Sequence, residues 1–314
     1  MSTRIEDIDK EKSFMGIWAE ASSNASLGVA LGAATISLAP IFVKWIVAAP
    51  SVVAFYRCVF ALAFLFPFCF RQLRQRMEWK QRAFWGWAWL GGFGFAMDLW
   101  VWHRSIEYVG AGMATILCNM QVFVSGLVGY LFLKEKLTLR WVLSSCLAVV
   151  GVAFLVGIFG STSFSREYVY GIAFGLLTAP FYTIYVFALR QIQVCDHRAS
   201  IKTCMGAVLI FSAMFSFFIA RVSQDSFSMT QNQFFLYLGL ALGPQLLGWL
   251  MISKNLTKIP LATSGLLLLI QPVFAFVLGV VLFSERFSVL QCCGAVITIT
   301  SIYVAAISRR SAKS

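Results

Sequence analysis

Ten apolar stretches follow one another through this chain, at about 27–47, 51–70, 84–103, 111–133, 139–159, 169–189, 199–220, 233–253, 261–283 and 289–307. A helix rises about 1.5 Å per residue, so about 20 apolar residues are needed to cross the hydrocarbon core of a bilayer. Each stretch meets that length. The links between them are short, so neighbouring helices run antiparallel and no segment is left for a soluble domain. The composition agrees: 60% of residues are hydrophobic and 12% charged, against roughly half and a quarter in an ordinary globular domain. The expected fold is an all-α integral membrane protein of ten transmembrane helices.

The net charge of +12 raises nucleic acid as a partner, but the positions of the charges argue against it. With the N-terminus in the cytoplasm, the cytoplasmic links hold Arg71, Arg74, Arg76, Lys80 and Arg82, then Lys134, Lys136 and Arg140, then Arg190, Arg198 and Lys202, then Lys254 and Lys258. The external segments hold only Arg104, Arg166, Arg221 and Arg286. This loop-by-loop bias is the positive-inside asymmetry. It explains the basic charge as topology and puts both termini in the cytoplasm; a bacterial cytoplasmic (inner) membrane is the expected location, with a eukaryotic organelle membrane as the alternative. MSTRIEDIDKEKSFMGIWAE mixes acids and bases and lacks the short apolar core of a signal peptide. Residues 1–26 and 308–314 are accordingly expected as cytoplasmic tails. None of the 8 cysteines falls in an external link, so a disulfide framework is not expected.

Shifted by 150 positions, the chain partly overlays itself. GMATILCNMQVFVSGLVGYLFLKEKLT (112–138) falls on ATSGLLLLIQPVFAFVLGVVLFSERFS (262–288), matching Gln121 with Gln271, Gly129 with Gly279 and Glu135 with Glu285. GVALG (28–32) likewise resembles GIAFG (171–175). Five spans per half is an odd number, so the second half inserts upside down. The expected domains are two repeats, 27–160 and 161–307, in a five-plus-five inverted arrangement. That plan is typical of secondary transporters, with a substrate site near the midplane where the halves meet.

FYRCVFAL (55–62), DLWVWHRSIEYVGAGMATIL (98–117), GYLFLKEKLTLRW (129–141) and LIQPVFAFVLGVVLFSERFS (269–288) together resemble the drug/metabolite transporter superfamily, specifically proteins with two EamA domains. The likeness covers essentially the whole chain after residue 26. It implies ten helices around a central cavity lined mainly by helices 1, 3, 4, 6, 8 and 9, and transport of small metabolites, often export of amino acids. One departure stands out. The first half has Gln121-Val122 where the family often carries a proline, whereas the second half keeps Gln271-Pro272, so a break in span 4 is not implied.

Asp98 is the one acid within a span, and ionisable groups inside a membrane are costly and usually functional. Arg57, Lys44 and His103 fall at similar depth, which suggests a polar cluster built on an Asp98–Arg57 or Asp98–Lys44 pair. Two readings stay open. A fixed ion pair would tie spans together; a pairing that changes as a carrier opens would let Asp98 bind a substrate ammonium or carry a proton. Gln121, Gln271 and Asn119 near span centres are candidate substrate contacts, with helix–helix hydrogen bonding as the plainer role. Trp100, Trp102, Tyr182, Tyr185 and Trp249 are candidates for an aromatic lining. Pro40, Pro180, Pro244 and Pro272 lie inside spans, where each frees a carbonyl and can kink its helix. Glu135 and Glu285, next to basic residues at span ends, read as local salt bridges.

Catalysis has little support. No Cys/His spacing suggests a metal, and GGFG at 91–94 lies within a span rather than after a strand, so it is no nucleotide loop. No cofactor and no enzymatic activity are expected. The absence of an ATPase motif points to proton or exchange coupling. The reading is a secondary carrier of a small organic, amino-acid-like metabolite, with export as the expected direction. Its partners are that substrate and the lipid bilayer, and a homodimer is compatible with the sequence. An integral-membrane enzyme or lipid-handling protein, and a non-transporting scaffold or sensor, are the alternatives.

Overall fold

A computed structural model describes residues 25, 27–76, 82–133, 138–156, 165–195, 199–256 and 270–308. The described residues are helical between short links: α1 (27–36), α2 (Ala39–Trp45), α3 (Pro50–Arg76), α4 (Arg82–Cys118), α5 (Gln121–Leu133), α6 (Leu139–Leu155), α7 (Arg166–Cys195), α8 (Ile201–Val222), α9 (Gln231–Leu240), a π-helical turn (Ala241–Gly248), α10 (Trp249–Leu256), α11 (Ile270–Phe283) and α12 (Val289–Ser308). Among these residues six helices are long and apolar enough to cross a membrane, and three shorter ones are as apolar: Leu139–Leu155, Ile270–Phe283 and Val289–Ser301. The exterior is oily, with Phe68, Val149, Phe218, Val281 and Val296 among the large exposed side chains, as expected where lipid is the solvent. Many hydroxyl groups are satisfied locally. Thr35, Ser37, Thr115, Thr178, Thr183, Ser212 and Thr298 each donate to the carbonyl four residues earlier, which removes an unpaired donor from an apolar medium.

The sequence places spans 3 and 4 at 84–103 and 111–133. The structure joins them in one helical run with a kink at Gly110, where φ is +83° and ψ 168°, a region open essentially to glycine alone. Span 4 is nonetheless broken, at Asn119–Met120, without a proline. Asn119 supplies the cause: its Nδ2 donates to the Thr115 carbonyl at 2.8 Å, and its N–H is shared between the carbonyls of Thr115 and Ile116. Span 1 also breaks, at Ser37–Leu38, and Pro40 follows in the first turn of α2. Pro180 sits inside an unbroken α7, Pro244 inside the π turn, and Pro272 in the first turn of α11. Glu135 and the start of span 9 lie outside the described residues.

α4 packs along α7 and α8, α3 along α8, and α6 along α12. The last two contacts join expected spans 2 with 7 and 5 with 10, which are mates in the expected repeat. Glycines permit the close approaches. A Cβ on Gly94 would lie 2.8 Å from Ile184 and 3.0 Å from the Tyr185 nitrogen, and one on Gly151 would meet Thr298 at 2.5 Å. One end of the bundle is tied by the Gln233 amide on the Val47 carbonyl (2.8 Å), Tyr56 on the Phe227 carbonyl (2.7 Å), and Ser51 on Asp225. At the opposite end Gln72 accepts from the Ser200 N–H and the Thr203 hydroxyl.

Candidate functional site

A cavity of about 60 Å³ lies among α1 to α4, α7, α10 and α11. Arg57, Asp98, Asn119, Tyr182, Trp249, Gln271 and Pro40, all singled out from the sequence, line it together with Trp102 and Thr115. It holds a few waters at most, far below the roughly 300 Å³ of a small-molecule pocket.

The charged residues are not arranged as the sequence suggests. Asp98 and Arg57 are both buried, at 5% and 3% exposure, yet they close no ion pair. Arg57 instead donates its Nε to the Gln245 side-chain oxygen at 2.7 Å, and its guanidinium stands 5.9 Å from the centroid of the Phe95 ring. Its Nη1 and the Oδ1 of Asp98 are buried without a hydrogen-bond partner in the protein. The reason is geometric: Gln245, on the π turn, engages the guanidinium through Nε and fixes it there.

Lys44 is likewise no partner of Asp98. It pairs with Glu285 at 2.7 Å and stands 4.3 Å over the Phe283 ring. Glu285 is thus no local salt bridge either. Its two oxygens also accept the backbone N–H groups of Ala111 and Gly112, at 2.8 and 3.2 Å, just past the Gly110 kink. His103, buried at 1%, places its Nδ1 3.2 Å from the Pro50 carbonyl, while its Nε2 has no partner. Lys44 and His103 face a second space, a vestibule of about 610 Å³ also lined by Arg104, Glu107 and Asp225. The single polar cluster expected from the sequence is two separate places.

The aromatic lining is built from stacked contacts. Phe95 stacks on Tyr185 at 4.4 Å, and Trp249 meets Tyr185 edge-on at 5.3 Å and Tyr182 at 6.0 Å. Trp100 packs edge-on against Phe174 at 5.9 Å and is not among the cavity residues. Gln121 lies off the cavity too, its Oε1 accepting from Ser125 at 3.0 Å, so the two repeat-matched glutamines are placed differently. The residue that sequence reading missed is Gln245. Its signal was a polar side chain directly after a mid-span proline. Among the described residues no group of three His, Cys, Asp or Glu side chains is placed to hold a metal.

The sequence profile of the EamA-like transporter family matches residues 24–157 and again 169–307. No curated protein matches the chain. A solved structure titled only "Crystal structure of protein" shares the fold, with a TM-score of 0.61 at 16% identity, covering 94% of this chain and 99% of that one.

Proposed function

The chain belongs to the EamA-like transporter family, in two repeats, and from that premise we propose that it is a secondary carrier of a small, amino-acid-like metabolite. It works by alternating access between two inverted five-helix halves and exports its substrate across a bacterial inner membrane with both termini inside. One observation carries the reading: opposite charges, Asp98 Oδ1 and Arg57 Nη1, are buried beside one cavity and neither is satisfied by the protein. Buried polar groups are normally paired, and each exception calls for a role. A ligand bearing an ammonium and a carboxylate supplies both missing partners. The Tyr182 and Trp249 rings offer contact area to its apolar part. Asn119 and Gln271, which also line the cavity, are neutral groups that can orient it without the cost of a further charge.

Coupling follows from Asp98. A carboxylate that exchanges a substrate ammonium for a proton serves either proton antiport or exchange. The cavity's small volume fits a closed intermediate of such a cycle.

The test is untargeted metabolite profiling of the medium from cells producing the wild type or Asp98→Asn at equal membrane levels. Accumulation of a compound by the wild type and not by the variant supports export through this site. Equal accumulation by both removes Asp98 from the mechanism. An unchanged medium for the wild type counts against export.

A further inference from the structure

We propose that Gln245 is a positioning residue: it holds the Arg57 guanidinium by Nε and leaves the charge of that group to an anionic or carbonyl oxygen of the substrate. The proposal rests on the transport reading for its meaning but not for its test.

Arg57 lies inside α3, is buried at 3% exposure, and lines the small cavity. A guanidinium has five N–H donors in a fixed plane. One of them, Nε, is used by Gln245, and the ring of Phe95 lies near the guanidinium carbon at cation–π distance. Those two partners fix the plane's direction, and both are neutral. A carboxylate in place of Gln245 would hold the group as firmly but would neutralise its charge and compete with an anionic ligand. A neutral acceptor orients the cation and leaves its charge free.

Gln245 is itself fully buried, at 0% exposure. Its Oε1 must face Arg57, because a flipped amide would set donor against donor. Its Nε2 is left without a partner, so packing alone gives no account of a glutamine here. The local backbone is also unusual. Gln245 sits in the π-helical turn Ala241–Gly248, one residue after Pro244, and single π turns inside α-helices occur frequently at functional sites. Proline removes one helical N–H and loosens the ladder at this point. The wider turn sets the Gln245 side chain against α3, and Asp98, which lines the same cavity as Arg57, is left unpaired.

The experiment needs no knowledge of the substrate. Formate carries the same oxygen chemistry as a carboxylate and is small enough for a cavity of about 60 Å³. Binding of ¹³C-formate to the purified protein in detergent is followed by NMR, with the melting temperature as a separate readout. The wild type is expected to bind formate saturably, Arg57→Met to lose binding, and Gln245→Glu to weaken it at least tenfold while melting no lower than the wild type. Gln245→Met is expected to weaken it several-fold. In an Arg57→Lys background, which lacks Nε, Gln245→Met is expected to add no further weakening, since coupling through Arg57 has been removed. Methylammonium binding serves as the control and should depend on Asp98 and not on Gln245. Wild-type protein that binds no formate overturns the proposal. So does formate binding that is equal in the wild type and Gln245→Glu, or Gln245 effects that add fully to Arg57→Lys. Formate binding with an unchanged metabolite profile would leave this role intact and remove the export reading instead.

Discussion

Glu285 joins three spans through one carboxylate: it pairs with Lys44 at 2.7 Å and accepts the Ala111 and Gly112 N–H groups beyond the Gly110 kink. The N–H groups at a helix start have no intrahelical partner, and a carboxylate there is favoured by the helix dipole as well. Glu285→Ala leaves these donors and the lysine without it. The expected cost is about 2–3 kcal/mol, the scale for hydrogen bonds to a charged group. Lys44→Met should cost about 1 kcal/mol or less, because the lysine side chain is 31% exposed and screened pairs contribute little. Melting of the purified variants in detergent checks the order. A larger loss for Lys44→Met would mean that the ion pair, not the helix cap, dominates.

Gly110 should tolerate no side chain. Its φ of +83° is closed to L-residues, and a Cβ there would lie 2.7 Å from Glu285 Oε1. Gly110→Ala is expected to be destabilised by more than about 2 kcal/mol, combining backbone strain with displacement of the carboxylate. Gly86, in the same helix, is the internal control: a methyl group added there would meet nothing within 4 Å. Gly86→Ala should be neutral or stabilising by up to about 1 kcal/mol. Equal melting of the two variants would show that the kink is not held by Glu285.

The apolar helices were legible because their signal is local: length and apolarity of a continuous run decide them, and among the described residues six are long enough to cross a membrane. The break at Asn119–Met120 was not, because the sequence rule looked for proline and the structure uses an asparagine amide on its own helix. The Lys44–Glu285 pair was hidden for a different reason. Its partners are 241 residues apart, and depth in the membrane, which the sequence does give, leaves azimuth around the bundle undetermined. Lys44, Arg57, Asp98 and His103, expected at one depth, lie at two separate places. The same limit misplaced Gln121, whose repeat mate Gln271 lines the cavity while Gln121 bonds Ser125. Gln245 was passed over because a neutral amide in an apolar span carries no charge to attract notice.

Sidedness is open to direct chemical reading. Val47 is 85% exposed in the link between α2 and α3, and Cys195 is exposed at the end of α7. The positive-inside bias puts these on opposite faces, Val47 outside. In otherwise cysteine-free protein, an impermeant maleimide added to intact cells should label Val47→Cys and spare Cys195. Labelling of Cys195 alone would invert the topology.

The proposed alternating access requires the Glu285 end of the bundle to open in part of the cycle, parting α2 and the start of span 4 from α11. Val47 and Val289, 85% and 80% exposed, flank that contact without belonging to it. Spin labels on Val47→Cys and Val289→Cys, in protein lacking the native cysteines, therefore report its opening with Lys44 and Glu285 intact. Pulsed dipolar spectroscopy is expected to give two distance populations in the wild-type background. Glu285→Gln should shift weight to the longer one, since it removes the charge that holds Lys44 while keeping an acceptor for the backbone N–H groups. A shift of tenfold in the population ratio corresponds to about 1.4 kcal/mol between the two states. A single short distance, unmoved by Glu285→Gln, would show that the contact is a permanent strut and that access to the cavity opens elsewhere.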